Sequence, residues 1–262
     1  MKRERYTDIN AKAFDQWVEN GWEWGIPITH EQFTDAQNGV WHIVMTPTKA
    51  VPFEWFAPYY QHNKLTGVEL LGLASGGGQQ MPIMAALGAT CTVLDYSQRQ
   101  LDSERMVAQR EGYDINLVRA DMTQRLPFDD ASFDIIIHPV SNCYVEDVYH
   151  IWNECHRVLR PGGLLIAGVD NGINYVFDDV DETAPLVAVN KLPYNLLKDP
   201  ALYEKCMQED GSLQFSHTME EQIGGQLQAG FILTHLYEDH DASGPVAQYY
   251  PQYIATRARK PV

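Results

Sequence analysis

The chain has 262 residues, 45% of them hydrophobic and 21% charged, which is the composition of a globular protein and excludes a disordered one. No apolar run approaches the roughly eighteen residues of a membrane span, and the basic start Met1-Lys2-Arg3-Glu4-Arg5-Tyr6 lacks the apolar stretch of a secretory signal, so a cytoplasmic location is expected. A formal charge of −16, with no Lys/Arg-rich run away from the chain ends, disfavours nucleic acids and anionic membranes as partners and leaves a small or cationic molecule.

Residues 1–62 form an aromatic cap segment in this reading. Trp17, Trp22, Trp24, Trp41 and Trp55 lie here with Phe33, Phe53, Phe56, Tyr59 and Tyr60, and prolines at 27, 47, 52 and 58 divide the segment. It is expected to pack on a larger core, with most tryptophans serving packing and one or two lining a site. From residue 63 the pattern changes. Val68–Leu73 is a short apolar run between glycines, hence a buried strand. A helix follows over Met81–Leu87, then a β-branched strand over Thr90–Leu94. Ser97 can cap a helix that runs to Glu111, with Gly112 beyond its end. Ile115–Val118 and Phe133–Ile137 are strands three and four. Val145–Leu159 is helical by its spacing, Pro161-Gly162 turns the chain, and Leu164–Val169 is strand five. This alternation predicts a doubly wound α/β fold with a mostly parallel sheet. Residues 171–215 lack a regular period and read as a lid-like insertion. A helix over Met219–Gln228 and strands over Phe231–Tyr237 and Tyr253–Arg257 complete the chain, with Pro251 outside the last strand.

The first strand runs into Ala74-Ser75-Gly76-Gly77-Gly78, then a helix. A glycine-rich turn at that place lets backbone approach a ligand closely. Nineteen residues after Gly76 the second strand ends in Asp95, where a carboxylate can accept hydrogen bonds from ribose hydroxyls. A tight turn and a solvated acid are the plain alternative, but strand, loop, helix, strand and acid in register point to a nucleoside-type cofactor. A dinucleotide fits less well. The third glycine of that fingerprint falls at Met81, and the loop carries no cation for a diphosphate. The four cysteines, Cys91, Cys143, Cys155 and Cys206, show no CxxC spacing, so neither a disulfide framework nor a metal site is expected.

These motifs, in order, resemble the class I methyltransferases of the type 11 group. The likeness rests on Leu70 to Gly78, on Val93-Leu94-Asp95-Tyr96-Ser97, on Ala120-Asp121-Met122, on Leu126-Pro127-Phe128-Asp129-Asp130 with Ser132-Phe133-Asp134, and on Arg157 to Gly163. The spelling Leu73 to Gln80, together with His138-Pro139-Val140-Ser141-Asn142, is similar to a bacterial subgroup of uncharacterised methyltransferases. The resemblance implies a seven-stranded sheet with an antiparallel last strand and S-adenosyl-L-methionine as cofactor. It implies cofactor contacts from Ala74, Ser75, Gly76, Gly77, Gly78, Asp95, Tyr96, Asp121, Met122, His138 and Pro139. The family often has an acid at the place of Gly72 and a glycine at that of Ala74. Gln79, Gln80 or an N-terminal residue is expected to stand in for the acid. The resemblance further implies methyl transfer by in-line displacement to a small-molecule acceptor, which needs positioning and exclusion of water more than a catalytic triad. On the acceptor side Asn142 and His217 are the candidates, although His217 can equally bond at the start of its helix. A non-catalytic binding module and an NAD-dependent oxidoreductase are the competing readings.

Overall fold

The structure is a computed structural model that describes residues 4–177, 185–209 and 211–262; residues 178–184 and 210 of the expected lid-like insertion lie outside the described residues. The strands are β1 (Glu69–Leu73), β2 (Thr90–Asp95), β3 (Asn116–Arg119), β4 (Phe133–His138), β5 (Leu159–Asp170), β6 (Ile232–Asp239) and β7 (Tyr253–Arg259). They form one sheet in the order β3-β2-β1-β4-β5-β7-β6. β1 to β5 are parallel, and β7 lies between β5 and β6, antiparallel to both. This is the doubly wound fold with a reversed seventh strand that the sequence leads one to expect.

The period-two alternation of each strand divides the core into two layers. Leu70, Val93, Ile135, Ile137 and Ile166 face one side, while Leu71, Leu73, Leu94, Ile136 and Leu165 face the other. The first layer is completed by α3 (Gln80–Ala86), α4 (Gln98–Glu111) and the N-terminal segment, and the second by α5 (Val148–Val158) with the fully buried Trp152. The helix ends follow local chemistry. Ser97 Oγ accepts from Gln100 N at 3.2 Å, and Gly112 ends α4 at φ +74°. Strand five starts earlier than expected: Leu159 pairs with Phe133, residues 160–163 bulge out around Pro161-Gly162, and pairing resumes with Ile135 opposite Leu164.

The N-terminal segment contains two helices that its prolines and aromatics obscured. They are α1 (Tyr6–Glu19) and α2 (His30–Gln37). α2 opens on a capping box in which Thr29 Oγ1 accepts from Gln32 N and Gln32 Oε1 accepts from Thr29 N. Phe33, Trp41, Trp55 and Phe56 are buried and join the β1–α3 core layer, so the segment shares a core with the sheet. The insertion holds a helix missed in the sequence, Pro200–Glu209, whose first turn is capped by Asp199 Oδ1 accepting from Ala201 N and Leu202 N. The helix after His217 begins with one π-wound turn, Glu220–Gly224, and ends with one α turn, Gly225–Gln228.

Candidate functional site

The chain reverses its winding between β1 and β4, and a crevice opens beyond the carboxyl ends of such strands. The loop after β1 forms one wall. Ala74 stands at φ +48°, a left-handed conformation costly for a residue with a Cβ, and its N–H donates to the Leu94 carbonyl at 2.8 Å. Gly76 N donates to Asp95 Oδ2 at 3.1 Å, so the glycine loop and the acid one βαβ unit later meet. Asp95 Oδ1 accepts from Ser97 N at 2.9 Å. Burial nevertheless pushes the Asp95 carboxyl up to about 6, against the opposing pull of these N–H groups.

The three glycines do different work. A Cβ on Gly76 would lie 2.6 Å from Gln100 Cβ and 2.9 Å from Asp95 Oδ2. Gly77 and Gly78 serve the protein's own packing: a Cβ on Gly77 would lie 2.5 Å from the Trp24 carbonyl, and one on Gly78 2.9 Å from Pro27. The turn Trp22–Gly25 is pinned there, because Gln79 Nε2 donates to the Glu23 and Ile26 carbonyls at 2.8 and 3.1 Å. The acid missing at Gly72 also has a steric explanation. A Cβ there would meet Met81 Sδ at 2.7 Å, so the Met81 side chain occupies the space.

A cavity of about 740 Å³ extends from this loop to the ends of β5 and β7. Ala74, Gly76, Gln80 and Gln100 line its β1 side, and Trp22 and Trp24 come in from the N-terminal segment. Pro139, Val140, Cys143 and Tyr144 supply the β4 side, while Asp170, Tyr175, Asp241 and Tyr253 line the far end. Gln100 Oε1 and Asp170 Oδ2 are buried oxygens with no partner among the described residues.

Several of the expected site residues do not line this cavity. The His138 side chain turns into the second core layer, with Nδ1 2.9 Å from the Leu73 carbonyl and Nε2 2.9 Å from Asn142 Oδ1; burial holds its pKa below the ordinary range. Asn142 is fully buried and its Nδ2 donates to Gln222 Oε1 at 2.9 Å. His217 Nε2 lies 3.1 and 2.9 Å from the carbonyls of Asn142 and Val145. Neither Asn142 nor His217 lines the cavity. His217 fastens the 142–145 turn through two of its carbonyls, and the Asn142 side chain ties that turn to His138 and Gln222. Ser75 is buried and donates to Gln80 Oε1 at 3.3 Å. Tyr96 and Asp121 are joined instead by Arg5, which donates to the Tyr96 hydroxyl at 2.7 Å and to Asp121 Oδ2 at 3.4 Å, and Met122 packs in the second core layer. Asp121 and Arg5 line a second cavity of about 300 Å³. Gln100 and Asp170 were not singled out from sequence. The available signals were their places, one turn past the Ser97 cap and at the end of strand five.

A family model described as a methyltransferase domain matches residues 71–167, from within β1 to within β5. Over 254 residues, 96% of this chain and 97% of the other, the sequence is 41% identical to the uncharacterized methyltransferase YbaJ of Bacillus subtilis. The chain belongs to the class I S-adenosylmethionine-dependent methyltransferases. Among solved structures, this methyltransferase shares its fold with an S-adenosylmethionine-dependent methyltransferase from Mesorhizobium loti, at a TM-score of 0.58 and 19% identity over 75% of this chain and 93% of that one. It also shares the fold of the Burkholderia thailandensis 1,6-didemethyltoxoflavin-N1-methyltransferase, with bound 1,6-didemethyltoxoflavin and S-adenosylhomocysteine, at a TM-score of 0.57 and 16% identity over 98% of this chain and 89% of that one. The methyl donor of this methyltransferase is S-adenosylmethionine. The donor set suits it: a loop without cations, a glycine backbone facing the cavity, and an unpartnered Gln100 oxygen that can accept from a nucleoside or an ammonium group.

Proposed function

We propose that this methyltransferase transfers the methyl group to a small-molecule acceptor held in the same 740 Å³ cavity as the donor. The observation that carries this reading is the continuity of that cavity from Gly76 to Asp170 and Tyr253. Its size lies within the roughly 300–1,000 Å³ usual for small-molecule sites. Ala74, Gly76, Asp95 and Gln100 would hold the adenosyl part. Gln80, which lines the cavity and donates through Nε2 to the Val44 carbonyl at 3.2 Å, would face the methionine end where the family often has an acid. Pro139 would contribute its backbone at the donor, and Tyr96 and Asp121, held by Arg5 and Asp8 at the start of α1, would shape the adenine end with Met122 behind them.

The bound cofactor supplies an already activated methyl group. What remains for the chain is to align the acceptor with the methyl–sulfur bond and to keep water out. Trp22, Trp24 and Tyr144 wall the cavity for that purpose. In this reading Asn142 and His217 are positioning residues that fix the Pro139–Val145 turn beside the reacting centre. The test is calorimetric titration with S-adenosylmethionine, S-adenosylhomocysteine and NAD, followed by turnover on the small-molecule and macromolecular fractions of a bacterial extract. Binding of the first two ligands and methylation confined to the small-molecule fraction are expected. Binding of NAD alone, or methylation of macromolecules only, would reject the reading.

A further inference from the structure

The far end of the cavity contains a group that the methyl donor does not require. Asp170 ends β5, is 5% exposed and lines the cavity. Its Oδ1 accepts from Gly172 N at 2.9 Å, while Oδ2 has no partner among the described residues. The neighbouring hydroxyls are committed elsewhere: Tyr175 donates to Gln214 Oε1 at 2.8 Å, and Tyr253 OH lies 3.4 Å from Asp241 Oδ2. A buried carboxylate oxygen left unpaired costs stability, so its natural partner is a donor on a bound ligand. The surroundings specify the charge of that donor. Among the described lining residues the charged ones are Glu23, Asp170, Asp241 and Lys205, so acids outnumber bases. The Tyr175 and Tyr194 rings stack at 5.3 Å between centroids, a flat aromatic face of the kind that attracts cations.

Resting on the proposed small-molecule reading, we infer that the acceptor is an amine and that its N–H group bonds to Asp170 Oδ2. Burial pushes the Asp170 carboxyl up to about 6, and an ammonium alongside would return it to the ionised form. The step balances. The ammonium gives one proton to the Asp170 carboxylate and recovers its lone pair. The N–CH₃ bond then forms as the CH₃–S bond breaks and the sulfonium becomes a neutral thioether. The carboxylic acid afterwards releases its proton to solvent. Carboxylate and phosphate acceptors would be repelled by the same residues.

The experiment uses the full chain saturated with S-adenosylhomocysteine and a panel of small primary and secondary amines, each paired with a carboxylate and a phenol of the same shape. Binding is followed by ligand-observed NMR, and the donor product by calorimetry. Amines should bind at least tenfold more tightly than their paired carboxylates and phenols. In Asp170→Asn that preference should fall at least tenfold while S-adenosylhomocysteine affinity changes by less than threefold. Asp170→Glu should retain part of the preference. Preference for carboxylates or phenols, no preference at all, or a loss confined to S-adenosylhomocysteine binding in Asp170→Asn would overturn the inference; the last outcome would place Asp170 at the donor's ammonium. Failure of the wild-type chain to bind S-adenosylhomocysteine would instead reject the underlying small-molecule methyl-transfer reading.

Discussion

Replacing Asp170 by asparagine should make the protein more stable at alkaline pH. In the unfolded chain this carboxyl ionises at its ordinary value of 3.8, whereas in the folded protein burial holds the proton until about 6. Between those values the folded state binds more protons than the unfolded one, so stability falls as pH rises through the window, and the full penalty is present above it. About two units of difference correspond to ~3 kcal/mol as a ceiling. The asparagine oxygen can still accept from Gly172 N, but its NH₂ group takes the place of an unpartnered oxygen and costs ~1 kcal/mol. The expected net gain is therefore about 1–2 kcal/mol at pH 8, or roughly 2–4 °C in Tm per kcal/mol for a chain of this size. At pH 5 about half of the ceiling remains, so the gain should shrink toward zero. Urea denaturation of both proteins at pH 5 and pH 8, without ligand, measures the difference. A variant less stable than the parent at pH 8, or a gain that does not change with pH, would refute the reasoning.

Asp95→Ala should weaken S-adenosylhomocysteine binding at least tenfold in calorimetry, equivalent to about 1.4 kcal/mol, with an unchanged far-ultraviolet circular dichroism spectrum. Gly77→Ala should destabilise the protein by about 2 kcal/mol or more in chemical denaturation and alter tryptophan fluorescence, because it combines φ +100° with a carbonyl 2.5 Å from the new methyl. Gly72→Ala should cost about 1–3 kcal/mol alone and clearly less in a Met81→Ala background, a coupling that a double-mutant cycle reads directly. Equal costs in both backgrounds would mean that Met81 does not fill the space of the absent acid.

The parallel half of the fold was readable because strands buried on both faces leave short apolar runs, as β1 and β2 do, and because Ser97 and Gly112 mark the ends of α4. The meeting of Gly76 with Asp95 was readable for the same reason: connectivity alone brings those two strand ends together. Other features depended on contacts between segments far apart in the chain. Nothing local shows that the Gly77 and Gly78 backbone must clear Trp24 and Pro27, or that Met81 fills the space beside Gly72. His138 ends β4 and Asn142 follows in the next turn, and the alternation of β4 points the histidine toward Trp152, with the rings 5.9 Å apart. Local signals were also overlooked: the Thr29–Gln32 pair marks a helix start within a stretch dominated by tryptophan and proline, and Asp199-Pro200 marks another.

The turn at Trp22–Gly25 lines the cavity proposed to hold the donor, yet it is secured from the other side of a fifty-residue stretch, by Gln79 and by the Ile28 N–H donating to the Gly78 carbonyl. A ligand that touches both pieces therefore acts as a clamp between the chain's beginning and its first βαβ unit. Occupancy by the donor should slow amide exchange across residues 22–28 along with the glycine loop, and removal of the first thirty residues should abolish donor binding even if the sheet still assembles.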